Sequence, residues 1–123
     1  MPQRVLIVDD RDELRLLLGQ AIAAAAPEVE LVEAADGAEA LAAIGELAVD
    51  LVVTDLDMPV MNGLELIRRL RAAPPTPPII VISGASTDWL AGESEAELRD
   101  LPFLRKPLVL SELVSLVRQQ LAG

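Results

Sequence analysis

Short runs of continuous aliphatic residues alternate along this chain with longer segments whose apolar residues fall at helical spacing. The runs are Val5-Leu6-Ile7-Val8, Leu31-Val32, Leu51-Val52-Val53, Ile79-Ile80-Val81-Ile82 and a weaker Phe103-Leu104. A strand that is apolar at every residue, not at alternate ones, needs cover on both faces. The intervening segments supply that cover. Leu14, Leu17, Leu18, Ala21, Ile22 and Ala25 mark one helical face. Asp36-Gly37-Ala38-Glu39 reads as a capping box with Asp in place of Ser or Thr, opening a helix through Leu41 and Ile44. Leu64, Ile67 and Leu70 mark a third helix. Leu110, Leu113, Val114, Val117 and Leu121 mark a last one, which Ser111 is placed to cap. Thr87 to Leu98 is acidic, holds Gly92 and carries only a faint apolar stripe; it is read as the fourth helix.

The alternation is (βα)5, an α/β fold with a parallel sheet between two helical layers. Right-handed crossovers leave few topologies, and the expected one is a flavodoxin-like, doubly wound five-stranded sheet of order 2-1-3-4-5. Pro74-Pro75-Thr76-Pro77-Pro78 reads as a stiff connection into the fourth strand rather than a proline-type ligand for a partner domain. The 123 residues fit one domain over 1–123, and 52% apolar composition excludes disorder. A net charge of −10 argues against a nucleic-acid or anionic-lipid surface. The absence of Cys and His removes disulfides, thiolate chemistry, His catalysis and the usual zinc sites. Asp9 and Asp10 interrupt the early apolar run, so no leader is read, and a cytoplasmic protein is expected.

Ligands of open α/β sheets bind beyond the carboxyl ends of the strands, where strand order reverses. The acids stand there. Asp9 and Asp10 follow the first strand, Asp55 ends the third, and Asp57 comes shortly after. Any one of these has an ordinary reading as a turn or cap residue, and Asp10 or Asp12 is placed to cap the first helix. Together they would repel one another unless a cation sat among them, and a hard divalent ion such as Mg2+ suits carboxylate oxygens. Ser83 follows the fourth strand, with Gly84 and Ala85 leaving room beside it. Lys106, the only lysine in the chain, follows the fifth strand and precedes Pro107. Carboxylates, a metal cage, a hydroxyl and an ammonium suit phosphoryl transfer, where catalysis is mostly positioning and charge neutralisation.

Over essentially its whole length the sequence resembles the response-regulator receiver domain of two-component signalling. The resemblance is carried by Asp9-Asp10, Asp55-Leu56-Asp57-Met58-Pro59 with Gly63 following, Ser83-Gly84, and Lys106-Pro107 with Phe103 upstream. It implies that Asp55 is the phosphoacceptor, taking its phosphoryl group from a histidine kinase or phosphotransfer protein. It implies Mg2+ on Asp10, Asp55 and the backbone carbonyl of Asp57, with Asp9 contributing through water. Lys106 would pair with the acceptor and then with the phosphoryl group, Ser83 would bind a phosphoryl oxygen, and Phe103 would be the aromatic switch. Asp57 and Ala85 would tune dephosphorylation. Output would pass through the face of the fourth helix, fifth strand and last helix to a partner or fused effector domain. The segment Arg99-Asp100-Leu101-Pro102 departs from the Gly-Ala common before the fifth strand in this family.

A haloacid-dehalogenase-type phosphatase is the enzyme alternative, with Asp55 as nucleophile and Asp57 as general acid. The acidic doublet ahead of that motif ranks it second. A flavin binder would need a hydroxyl-rich phosphate loop where this chain has two carboxylates, and a degenerate receiver would lack a site position. A stand-alone regulator and a receiver excised from a larger protein read alike here. Trp89, placed by its spacing near the start of the fourth helix, is expected to change fluorescence when beryllofluoride with Mg2+ mimics the phosphoryl group. An unchanged signal at saturation would move the output face elsewhere.

Overall fold

The computed structural model describes residues 2–58, 60–84 and 93–122. Strands and helices alternate as β1 (Arg4–Val8), α1 (Asp12–Ala25), β2 (Glu30–Ala34), α2 (Gly37–Glu46) and β3 (Leu51–Asp55). They continue as α3 (Gly63–Ala72), β4 (Ile79–Ser83), α4 (Glu93–Leu98), β5 (Phe103–Arg105) and α5 (Leu110–Ala122). The strands form one parallel sheet of order β2-β1-β3-β4-β5, the expected arrangement. Trp89, Ala85 and the 87–92 part of the expected fourth helix lie outside the described residues.

The continuous apolar runs resolve into two faces because side chains alternate along a strand. Leu6, Val8, Val52 and Val81 join Leu64, Ile67 and Leu70 of α3 and Ala40 of α2 in one apolar layer. Val5, Ile7, Leu51, Val53, Ile80 and Ile82 join Leu18 and Ile22 of α1 and Leu113 and Val117 of α5 in the other. Both layers are needed to bury β1, β3 and β4, whose apolar side chains are almost wholly out of solvent.

Helix ends follow local chemistry, with two departures from expectation. Asp36 caps α2 by accepting from the Glu39 amide at 2.9 Å, as its sequence predicts. Asn62 does the same for α3 through the Glu65 amide at 2.9 Å. Neither Asp10 nor Asp12 caps α1, however. Its N-cap is Arg11, which makes no side-chain cap bond among the described residues. Ser111 is not a cap either, because α5 opens at Leu110, with the Glu112 and Leu113 amides already bonded to the Val109 carbonyl.

The loop between β3 and α3 brings the helix start against the strand end. A Cβ on Gly63 would lie 2.3 Å from the Asp55 carbonyl oxygen and 2.9 Å from Leu56 Cα, so only glycine fits. In the same loop Val60 has φ 67°, a left-handed conformation that costs a β-branched residue about 1–2 kcal/mol. Its side chain is 84% exposed and gains little burial in return. Val60→Asn is therefore expected to raise stability by about 1 kcal/mol, read as a higher Tm. An unchanged or lower Tm would mean that the left-handed turn carries no strain.

Candidate functional site

Register places the acids side by side. Val8 pairs with Thr54, so Asp9 and Asp55 are the next residues on adjacent strands and share one face. Leu104 lies opposite Ile82, which lies opposite Asp55, so Lys106 leaves the sheet two strands away from Asp55. Two strand spacings are about 9.6 Å, a span that only a long side chain bridges. Lys106 Nζ reaches Asp55 Oδ2 at 2.7 Å. The Lys106 amide donates to the Ser83 carbonyl at 2.8 Å, which anchors the base of that side chain beside β4. The Lys106–Pro107 peptide bond is cis. At the end of β4, a Cβ on Gly84 would approach, among the described residues, only Asp57 Oδ2, at 4.0 Å.

Asp55 is 2% exposed and both of its oxygens are engaged, Oδ2 with Lys106 and Oδ1 with the Asp57 amide at 3.1 Å. Asp9 is fully buried. Its Oδ1 accepts from the Arg11 amide at 2.8 Å, whereas its Oδ2 has no hydrogen-bond partner among the described residues. Burial pushes the Asp9 carboxyl above its ordinary value of 3.8. The Arg11 amide opposes this, the Asp55 charge adds to it, Lys106 opposes it and Asp10 adds to it. Asp10 is exposed, and one oxygen from each of Asp9, Asp10 and Asp55 lies within 4.8 Å of the others.

An orphaned buried carboxylate oxygen is costly unless something positive meets it. With Asp10 and Asp55, Asp9 makes a group of three carboxylates, the hard oxygen donors that an ion such as Mg2+ takes, so these residues fit such an ion. The site opens on a cleft of about 440 Å³ lined by Asp10, Arg11, Asp55, Asp57, Gly84, Lys106 and Pro107. That leaves room for a phosphate-sized group directly over Asp55.

Ser83 and Phe103 lie on the other face. Alternation puts Ser83 with Ile79 and Val81, and Phe103 packs against that same layer, while Asp9 and Asp55 follow the opposite parity. Ser83 is fully buried, does not line the cleft, and donates to the Gly84 carbonyl at 3.2 Å. Phe103 is half-buried beneath the Arg105 guanidinium, 5.7 Å from its ring centroid. Sequence reasoning missed Arg11, whose amide holds Asp9, and Arg15, whose Nη1 donates to the Asp9 carbonyl at 2.7 Å. A backbone amide leaves no trace in a sequence, and an arginine in a first helical turn is indistinguishable from a solvated charge.

The family model described as "Response regulator receiver domain" matches residues 5–118. The chain is 39% identical over 117 residues to the transcriptional regulatory protein PrrA of Mycobacterium tuberculosis, covering 94% of this chain and 48% of that one. It is 38% identical over 119 residues to the sensor kinase CckA of Brucella abortus, covering 95% of this chain and 12% of that one. The chain thus spans about half the length of PrrA and a small part of CckA. Among solved structures, a response regulator receiver protein from Pseudomonas putida superposes with a TM-score of 0.84 at 30% identity, covering 97% of this chain and 98% of that one. The receiver domain of the Francisella response regulator 1452 gives 0.83 at 27% identity, covering 98% and 97%.

Asp9 provides the test of crowding at this site. Its carboxyl is raised, so the fold prefers the protonated form. Stability from this group is present at low pH and lost as pH rises through the raised pKa. Asn keeps the oxygen that faces Arg11 and replaces the orphaned oxygen with a donor facing carboxylates. In EDTA at neutral pH, Asp9→Asn should be more stable than the parent by about 1 kcal/mol, with the gain fading as pH falls toward the ordinary carboxyl range. Denaturant titration at both pH values reads the difference, and a less stable variant at neutral pH would contradict the crowding.

Proposed function

The chain belongs to the response regulator receiver family, a regulatory module of two-component signalling, and we propose that Asp55 is its phosphoacceptor. The observation that carries this reading is the state of that carboxylate. It is buried at a strand end, clamped by Lys106, beside an Asp9 oxygen without a hydrogen-bond partner among the described residues, and under an open cleft. Family membership sets the phosphatase alternative aside, and residues 1–123 act as a single receiver unit.

In the proposed reaction an Asp55 oxygen attacks the phosphorus of a phosphohistidine on a histidine kinase or phosphotransfer protein. The P–N bond breaks, its electron pair returns to the imidazole, and a P–O bond forms on Asp55. Oδ2 is the oxygen suited to attack, because its partner is a mobile ammonium and not a backbone amide. As the bond forms, Lys106 passes from the carboxylate to the phosphoryl oxygens. Asp10, Asp55 and the Asp57 carbonyl would hold Mg2+, with Asp9 acting through water. Bound there, the ion neutralises the charge that gathers on the phosphoryl oxygens.

Ser83 then turns from the Gly84 carbonyl toward the phosphoryl group. Its departure opens space on the face it shares with Phe103, which carries the change to α4, β5 and α5. Moving a two-state equilibrium from mostly inactive to mostly active takes roughly 5 kcal/mol, and charge-assisted bonds from Ser83 and Lys106 supply about 1.5–3 kcal/mol each. Asp57 lines the cleft and tunes loss of the phosphoryl group. The phosphodonor is the upstream partner. The downstream one is an output protein or a fused effector domain, and direct nucleic-acid contact is disfavoured by the net charge of −10. No helix among the described residues is long and apolar enough to cross a membrane, and a cytoplasmic setting is part of this reading.

The test is labelling by a small phosphodonor with Mg2+, followed by mass spectrometry of the base-labile adduct. Asp55→Asn should abolish labelling while keeping the fold, and Lys106→Ala should retain Mg2+ binding but lose the conformational response. Full labelling of Asp55→Asn, or turnover of an added phosphomonoester by the parent, would overturn the assignment.

A further inference from the structure

We propose that Arg15 is the positioning residue of the cation site, holding the Asp9–Asp10 peptide so that both carboxylates face one ion; this rests on the Mg2+ reading above. Pairing of β1 ends at Val8, opposite Ala34 on one side and Thr54 on the other. The Asp9 carbonyl therefore lies beyond the ladder, at the point where the chain turns into α1. Arg15 supplies its donor, through Nη1 at 2.7 Å. The other two ends of Asp9 are also tied, its amide to the Ala34 carbonyl at 3.1 Å and its Oδ1 to the Arg11 amide at 2.8 Å. With those three bonds in place the remaining atom, Oδ2, has no hydrogen-bond partner among the described residues, and the Asp9 carboxylate groups with those of Asp10 and Asp55.

Asp10 is exposed, so its direction depends on the peptide that precedes it. That is the peptide Arg15 holds. The guanidinium is itself fixed from both sides. Nη2 meets Asp12 Oδ1 at 2.6 Å and Nε meets Glu33 Oε1 at 3.0 Å, and the Arg15 side chain is only 16% exposed. The planar fork holds its donors to three acceptors in fixed directions, which a freely rotating ammonium on a flexible stem does not. The two carboxylates also offset the guanidinium charge, which would otherwise repel a divalent cation close by.

Arg4 offers a matched comparison at the other end of the same strand. It pairs with Glu30 at 3.2 Å and donates to the Ala48 carbonyl at 3.3 Å, again joining β1 to its neighbours, but away from the acids. The experiment is titration with Mg2+ alone, by calorimetry, on the parent, Arg15→Ala and Arg4→Ala. Arg15→Ala should raise the Mg2+ Kd about tenfold, as loss of a residue that orients metal ligands does, and Arg4→Ala should leave it within about twofold. In phosphodonor labelling the Mg2+ concentration for half-maximal rate should rise by the same factor, with the rate at saturating Mg2+ retained. Should Arg15→Ala fail to fold, Arg15→Met keeps the aliphatic stem and carries the same expectation. An unchanged Kd for the Arg15 variants, or an equal rise for Arg4→Ala, would overturn the positioning role. Absence of saturable Mg2+ binding by the parent would instead overturn the reading of the site on which this role rests.

Discussion

The carboxyl edge of this sheet gathers Asp9, Asp10 and Asp55 around the reach of a single ammonium, Lys106. Like charges this close raise one another's energy in proportion to how little water reaches them, and Asp9 and Asp55 are almost wholly buried. Lys106 relieves Asp55 and partly relieves Asp9, but Asp9 Oδ2 has no partner among the described residues. The arrangement is thus under-neutralised by design of its sequence, and it favours whatever brings positive charge into the cleft. In the proposed function, a cation and then a phosphoryl group that takes over Lys106 would relieve that imbalance. Much of the surrounding structure serves it: the register of β1 against β3, and the glycine at position 63 that lets α3 start against Asp55.

The sheet also separates chemistry from its consequences. Alternation assigns Asp9 and Asp55 to the parity of Val53 and Ile7, facing α1 and α5. Ser83 and Phe103 take the parity of Val81, facing α3. In the proposed function, a group added to Asp55 would therefore reach the second face by drawing Ser83 around the end of β4. Strand ends are where this is possible, because the backbone there is no longer held on both sides by a ladder. A ligand that changes nothing about Ser83 would shift no equilibrium on the far face, however tightly it bound.

The architecture was legible in the residues because its cause is local. β1 and β4 each carry four consecutive aliphatic residues, Val5 to Val8 and Ile79 to Ile82, which only a sheet covered on both sides accommodates, and the segments between them carry apolar residues at helical spacing. Even the short β5 was legible from Phe103-Leu104, since Leu104 is buried against β4. Caps were legible where one side chain decides them, as at Asp36, and misread at Asp10, Asp12 and Ser111. There the backbone of the adjoining turn, Arg11 or Val109, sets the first helical residue. A side chain's capacity to cap is a property of the sequence; whether the chain needs it is decided by the loop geometry.

The site divides in the same way. The positions of Asp9, Asp10, Asp55, Ser83 and Lys106 at strand ends follow from the sequence, because strand length and alternation fix which residues reach the carboxyl edge. The sequence by itself also determined the chemistry available there, since a chain without Cys or His has carboxylates, hydroxyls, one ammonium and guanidinium groups to work with. Only the tertiary structure decided which of these meet. That Lys106 crosses two strands to Asp55 and that Arg15 holds the Asp9 carbonyl are contacts between residues far apart along the chain or turned by a loop. Their energies depend on register, burial and loop path together, and none of those three is written in the neighbourhood of any one residue.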